Sequence, residues 1–151
     1  MINIKVIHGP HLNRLGHREH GHYGYLTLNQ LNQRIQKHAD LLNITADCFQ
    51  SDNESEIIAE IHRASSNSNG LILNPAGLGY TSLMLRDAVI MCRAPVIEVH
   101  LSNIHARESF RSKTIIADVC RGQICGLNWA GYCSALNALK MIIENDNQPE
   151  K

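Results

Sequence analysis

The chain of 151 residues is short of several things, and each shortage removes a class of function. Aromatic residues make up 5% of it, with one tryptophan and two phenylalanines, too few for a base-stacking platform on single-stranded nucleic acid. Charge of one sign is missing as well. Fourteen Lys and Arg balance fourteen Asp and Glu, and the isoelectric point lies near 7.1. Without a basic stripe or an acidic tail, nucleic acid, membrane surfaces and polyelectrolytes are disfavoured partners. No apolar run approaches membrane-spanning length. The segment Met1 to His8 lacks the long apolar core of a signal peptide and is expected to enter a first strand directly. The five cysteines (Cys48, Cys92, Cys120, Cys125, Cys133) are odd in number and show no Cys-x-x-Cys spacing. They read as reduced core thiols of a cytoplasmic protein, not as disulfides or metal ligands. Gly-x-Gly-x-x-Gly and Walker loops are absent, as is the Gly-x-Ser-x-Gly nucleophile turn. Nucleotide binding and serine-nucleophile chemistry lose their support.

What is present is an alternation of apolar strands and amphipathic helices across one expected domain, residues 1–151. Strands are expected at Ile2 to His8, Ile44 to Phe49, Leu71 to Leu73, Val96 to His100 and Gln123 to Leu127. A helix after the first strand starts with a capping box, Thr27 with Gln30, and buries Leu28, Leu31, Ile35 and Leu42. A second box, Ser51 with Glu54, is expected to open the next helix over Ile57, Ile58, Ile61 and Ala64. A third helix starts near Thr81 or Ser82, a short one covers Arg107 to Arg111, and a last runs from Trp129 to about Asn145. The tail from Asp146 to Lys151 is polar and expected to fray. Five strands, each followed by a helix, predict an α/β fold: an open, doubly wound parallel sheet with helices on both faces. A flavodoxin-like strand order is the first choice, although periodicity does not fix order.

In such sheets ligands bind at the carboxyl ends of the strands. There this sequence concentrates its unusual chemistry. The first strand is followed by His8, His11, Asn13, Arg14, Arg18 and Tyr23, and the third by Asn74, Tyr80, Thr81 and Ser82. The densest cluster follows the fourth: Glu98, His100, Ser102, Asn103, His105, Arg107, Glu108 and Arg111. Tyrosine, histidine, arginine and carboxylate form the palette of acid–base catalysis without a cofactor. His17, His20 and His22 between Gly16 and Gly24 match no metal-ligand spacing and read as a solvated flap. A histidine-dependent metal hydrolase is the reading they would otherwise support.

Several segments occur together in a familiar order. They are Gly9-Pro10-x-Leu12-Asn13-x-Leu15-Gly16-x-Arg18-Glu19, Tyr23-Gly24, Gln50-Ser51-Asp52, Leu73-Asn74-Pro75-Ala76, Thr81-Ser82-x-x-Leu85-Arg86-Asp87-Ala88, Glu98 through Glu108, and Gly131-Tyr132. In this order and spacing they resemble type II 3-dehydroquinate dehydratase along the whole chain. The resemblance implies a flavodoxin-like fold, trimers grouped into a homododecamer, and no metal or other cofactor. It implies reversible loss of water from 3-dehydroquinate to give 3-dehydroshikimate, in the shikimate or quinate pathways. By the same resemblance Tyr23 takes a proton from the carbon beside the ketone, Arg18 holds the phenolate and the flap, and His100 protonates the departing hydroxyl. Asn74, Asp87, Leu101 and Ser102 (through backbone amides) and Arg111 bind the substrate's carboxylate and hydroxyls.

The physics of these residue types agrees. An ordinary phenol ionises near pH 10, so a base at neutrality needs about 4 kcal/mol of selective anion stabilisation. One guanidinium in contact supplies about that much at an effective dielectric near 20. Arg18, with help from Arg107, is therefore adequate. The stretch from about residue 16 to 24 reads as a lid whose closure excludes water. Glu98 lies two residues before His100, on the same side of the strand, where it fixes the imidazole's tautomer. Two departures from the family pattern bear on chemistry. His11 stands where relatives usually carry the asparagine that helps hold a water on the enolate oxygen, and Tyr80 replaces the histidine of His-Thr-Ser. A same-fold substrate-binding protein with weak or altered activity is the alternative these two residues raise.

Overall fold

The computed structural model describes residues 1–147. Five strands, β1 (Asn3–His8), β2 (Thr45–Gln50), β3 (Gly70–Asn74), β4 (Val96–His100) and β5 (Gly122–Cys125), form one all-parallel sheet in the order β2-β1-β3-β4-β5. That is the flavodoxin-like arrangement, with its reversal of winding between β1 and β3. β5 is shorter than expected: Gly126, at φ 81, ends it, and Leu127 is exposed.

The helices are α1 (His20–Tyr23), α2 (Leu28–Leu41), α3 (Glu54–Asn67), α4 (Leu78–Thr81), α5 (Leu83–Met91) and α6 (Ala130–Asp146). Alternation along β1 divides the core. Ile4 and Val6 join Leu31 and Ile35 of α2 and Leu136 and Leu139 of α6 on one face. Ile7 joins Ile57 and Ile61 of α3 and Leu85 and Ala88 of α5 on the other. Fully buried β3 residues Leu71, Ile72 and Leu73 supply both layers, as a doubly covered central strand must. No helix among the described residues is long and apolar enough to cross a membrane.

Local signals mostly act as the sequence predicts. Thr27 and Gln30 close the expected reciprocal capping box at the start of α2. Ser82 caps α5 by accepting from Leu85 N at 2.9 Å, and a single turn, α4, precedes it. The second expected box is displaced. Asn53, not Ser51, caps α3, accepting from Ser55 N at 3.0 Å. The Ser51 hydroxyl is occupied by its own tight turn, accepting from Asn53 N at 2.9 Å and donating to Glu56. The short helix expected over Arg107 to Arg111 is instead two 3-10 turns, Ile104–Ala106 and Ser109–Arg111. Of the tail, Asp146 closes α6 and Asn147 caps it; residues 148–151 lie outside the described part.

Candidate active site

The carboxyl ends of β1, β3 and β4 open into one cavity of about 270 Å³, at the sheet's winding reversal. This small, partly enclosed volume suits a single-ring metabolite. His8 and Asn74 are register partners at the ends of β1 and β3. The loops above them are pressed together, because Gly9 N donates to Asn74 O at 2.8 Å. A Cβ on Gly9 would stand 2.6 Å from the Pro75 carbonyl oxygen, so only glycine allows this approach.

Tyr23 reaches into the cavity from the end of the single-turn α1, in the segment between Gly16 and Gly24. Two guanidiniums donate to its phenol oxygen, Arg18 Nη2 at 3.0 Å and Arg107 Nη1 at 2.8 Å. Arg18 also lies over the ring, 3.9 Å from its centroid. Two cationic donors on one phenol oxygen favour negative charge there. The lid returns to the fold at Gly24, φ 73 and ψ −165, a conformation open essentially to glycine alone. A Cβ there would meet Asn128 Nδ2 at 2.6 Å.

Across the cavity, His100 is 5% exposed, and its Nε2 bonds Glu98 Oε1 at 2.6 Å. This leaves Nδ1 for the cavity side. Glu98 itself is fully buried behind His100 and does not line the cavity. Its second oxygen accepts from Thr114 Oγ1 at 3.1 Å and Gln123 Nε2 at 3.0 Å.

His11 lines the cavity mouth in a left-handed conformation, φ 69 and ψ −2, held by a bond from its backbone N–H to Asp52 Oδ1 at 2.9 Å. That bond, helped by Gln50 Nε2 at 3.0 Å, keeps the Asp52 carboxyl below its usual range. Asn74 is placed by a buried relay. Its Nδ2 donates to Tyr132 Oη at 2.9 Å, Tyr132 meets His8 Nδ1 at 3.1 Å, and His8 Nε2 meets Asn32 Oδ1 at 2.8 Å. Burial pushes the His8 imidazole down to about 4, so the relay is neutral. Tyr80 stands with its ring centroid 6.2 Å from that of His100, and burial pushes its phenol up to about 12.

Leu101, Ser102, Arg107 and Arg111 also line the cavity. The Nε atoms of Arg107 and Arg111 are buried without a hydrogen-bond partner among the described residues; Arg111 Nε lies 3.1 Å from Glu108 Oε2 without bonding geometry. Donors of this kind call for an anion. Of the expected site residues, only Glu98 and Asp87 do not line the cavity, and Asp87 is exposed on α5. The lid histidines His17, His20 and His22 are exposed. Among the described residues no three His, Cys, Asp or Glu gather as metal ligands would.

The sequence placed His8 among the strand-end groups and Asp52 and Tyr132 within the matching segments without assigning their hydrogen bonds, and nothing in it pointed to Thr114, Gln123 or Asn32. No local pattern pointed to Gln123, whose place beside Glu98 is set by the pairing of β4 with β5. Comparison with known proteins agrees with the geometry. The chain is 49% identical over 144 residues to 3-dehydroquinate dehydratase of Halothermothrix orenii, covering 95% of this chain and 97% of the relative. It is 50% identical over 139 residues to the enzyme of the same name from Halalkalibacterium halodurans, covering 92% and 96%. The crystal structure of type II dehydroquinase from Propionibacterium acnes superposes with a TM-score of 0.91 at 35% identity, over 93% of this chain and 97% of that one. The family profile of dehydroquinase class II matches residues 2–140, and the chain belongs to that family.

Proposed function

We propose that the chain is a 3-dehydroquinate dehydratase, a hydro-lyase that removes water from 3-dehydroquinate to give 3-dehydroshikimate without a cofactor. One observation carries the reading: a phenol oxygen clamped by two guanidiniums faces, across one cavity, an imidazole anchored on a buried carboxylate. Family membership and relatives named for this activity support it.

Tyr23, as phenolate, takes a proton from the carbon beside the ketone, and the electron pair moves onto the ketone oxygen. His11, at the cavity mouth, holds that enolate oxygen directly or through a water. The enolate then collapses and expels the β-hydroxyl on the opposite face of the ring, while His100 supplies the proton that makes it water. The proton on Tyr23 returns to the His100–Glu98 pair before the next turnover. Arg111, Ser102, the Leu101 amide and Asn74 bind the substrate's carboxylate and hydroxyls, with Tyr80 as a further neutral donor. The polar groups at His11 and Tyr80 alter the walls but leave the Tyr23–Arg18 and His100–Glu98 pairs intact.

Assembly into trimers and a homododecamer, in the cytoplasm, belongs to the same proposal. The outward face of α5 exposes Leu83, Met84, Ile90 and Met91, more apolar surface than a lone helix normally offers to water. Asp87 sits among them, so any contact it makes with substrate requires a neighbouring copy.

The deciding experiment follows the conjugated enone product by ultraviolet absorbance. Purified protein should form it from 3-dehydroquinate with or without chelator, and no signal would defeat the reading. The Tyr23→Phe variant should lose about 100- to 10,000-fold in kcat while still binding substrate in a calorimeter. An active variant would remove Tyr23 as the base.

A further inference from the structure

Glu98 is fully buried, yet among the described residues no lysine or arginine reaches its carboxylate. One oxygen faces His100 Nε2 and the other receives Thr114 Oγ1 and Gln123 Nε2. Gln123 Nε2 also donates to Thr114 Oγ1 at 3.3 Å, which leaves the threonine hydrogen directed at the carboxylate. The donors converge from separate elements. Gln123 is the register partner of Glu98 on β5, and Thr114 is 2% exposed in the loop beyond the Ser109–Arg111 turn.

When His100 gives up its proton, the pair passes from zero net charge to one negative charge. All of that charge then rests on Glu98, where water does not reach. A buried anion without a cation must be held by hydrogen bonds, or it draws a proton back. We propose that Thr114 and Gln123 are positioning residues of the Glu98–His100 pair, stabilising the anion left when His100 protonates the departing hydroxyl and so making the pair a stronger acid. This rests on the dehydratase reading and extends it to two residues outside the cavity lining.

The other titratable groups around Glu98 do not compete. Burial pushes the Tyr80 phenol on α4 up to about 12, the Cys120 thiol before β5 up to about 12, and the Cys125 thiol on β5 up to about 11. All three stay neutral where the enzyme works. Arg111 and Arg107 act on Tyr80, and Leu73, the β3 partner of Glu98, is apolar. His100, with Nε2 at 2.6 Å, is the titratable side chain hydrogen-bonded to Glu98 among the described residues.

The test compares the wild type with Thr114→Val, Thr114→Ser and Gln123→Leu, measuring kcat and KM from about pH 5 to pH 10. The valine and leucine variants should lose about tenfold or more in kcat, with KM within about twofold. Because the deprotonated pair loses its support, it keeps its proton longer. The basic fall of kcat should therefore move to higher pH, by about half a unit to one unit. Thr114→Ser, which keeps the hydroxyl, should stay within about twofold of wild type. Equal losses in kcat and affinity with an unmoved basic limb, or a serine variant as impaired as valine, would overturn the proposal. Nuclear magnetic resonance titration of the His100 ring decides it without turnover: the ring should lose its proton at higher pH in Thr114→Val, and an unchanged titration overturns it. A wild type that forms no product would defeat the dehydratase reading instead, leaving that titration to judge this one.

Discussion

At the scale of single residues, the site is made of ordinary side chains in unusual company. Tyr80 is the example that departs from the family pattern. Its phenol, pushed up to about 12 by burial, is a neutral donor at neutral pH. Tyr80→Phe should therefore raise KM a fewfold and leave the shape of the pH–rate profile unchanged below about pH 10, as steady-state kinetics will record. Asp52 works differently, through the backbone. His11 occupies a left-handed conformation that costs a non-glycine residue about 1 kcal/mol, and the Asp52 carboxylate offsets this by accepting the His11 N–H. That bond lowers the Asp52 carboxyl from its ordinary value of 3.8. The stabilisation is thus full above pH 3.8 and is lost as pH falls through the lowered value. Asp52→Asn should be less stable than wild type near neutrality, with the difference vanishing on acidification, as followed by circular dichroism.

At the scale of elements, the segment from Gly16 to Gly24 carries Arg18 and Tyr23 to the cavity. α1 is one turn long, too short to hold itself, and depends on Tyr23 being gripped by Arg18 from the lid and Arg107 from beyond β4. Its return to the fold is fixed by Gly24 against Asn128. Gly24→Ala should cost about 1–3 kcal/mol in the closed lid and appear as a lower kcat with little change in global unfolding by denaturant. The capping signals show how local reading succeeds and fails. Thr27 had no competing partner and capped α2 as written, whereas Ser51 spent its hydroxyl on a turn and left the cap to Asn53. A strand-end cluster read as a short helix became two 3-10 turns, which carry Arg107 and Arg111 to the cavity rim.

At the scale of the molecule, the parallel sheet aligns the carboxyl ends of β1, β3 and β4, so residues as far apart in sequence as Pro10 and Arg111 meet around 270 Å³. The core and the site are continuous: Leu12, Tyr23 and Leu101 line the cavity and also join the cluster under α2 and α6. Among the apolar side chains the single chain leaves uncovered, Leu83, Met84, Ile90 and Met91 lie together on α5. A double substitution, Leu83→Glu with Met91→Glu, should disperse any assembly to monomers in light scattering while circular dichroism stays unchanged, because both side chains are exposed and outside the core.

Period and spacing in the sequence determined the element order, the doubly covered sheet and the strand ends that carry the chemistry. Those signals are local: alternation along a strand, an apolar stripe along a helix, a polar residue at a cap. The motifs from Gly9 to Glu108 went further and named Tyr23, Arg18, His100 and Glu98. Only the tertiary structure decided which groups share a hydrogen bond. Gln123 reaching Glu98 from β5 and Tyr132 linking His8 to Asn74 are contacts between distant segments, as is the bond from Arg107 to Tyr23 across 84 positions, which the sequence suggested only as help to Arg18. Strand register and helix packing set them, and no pattern along one segment encodes its distance from another.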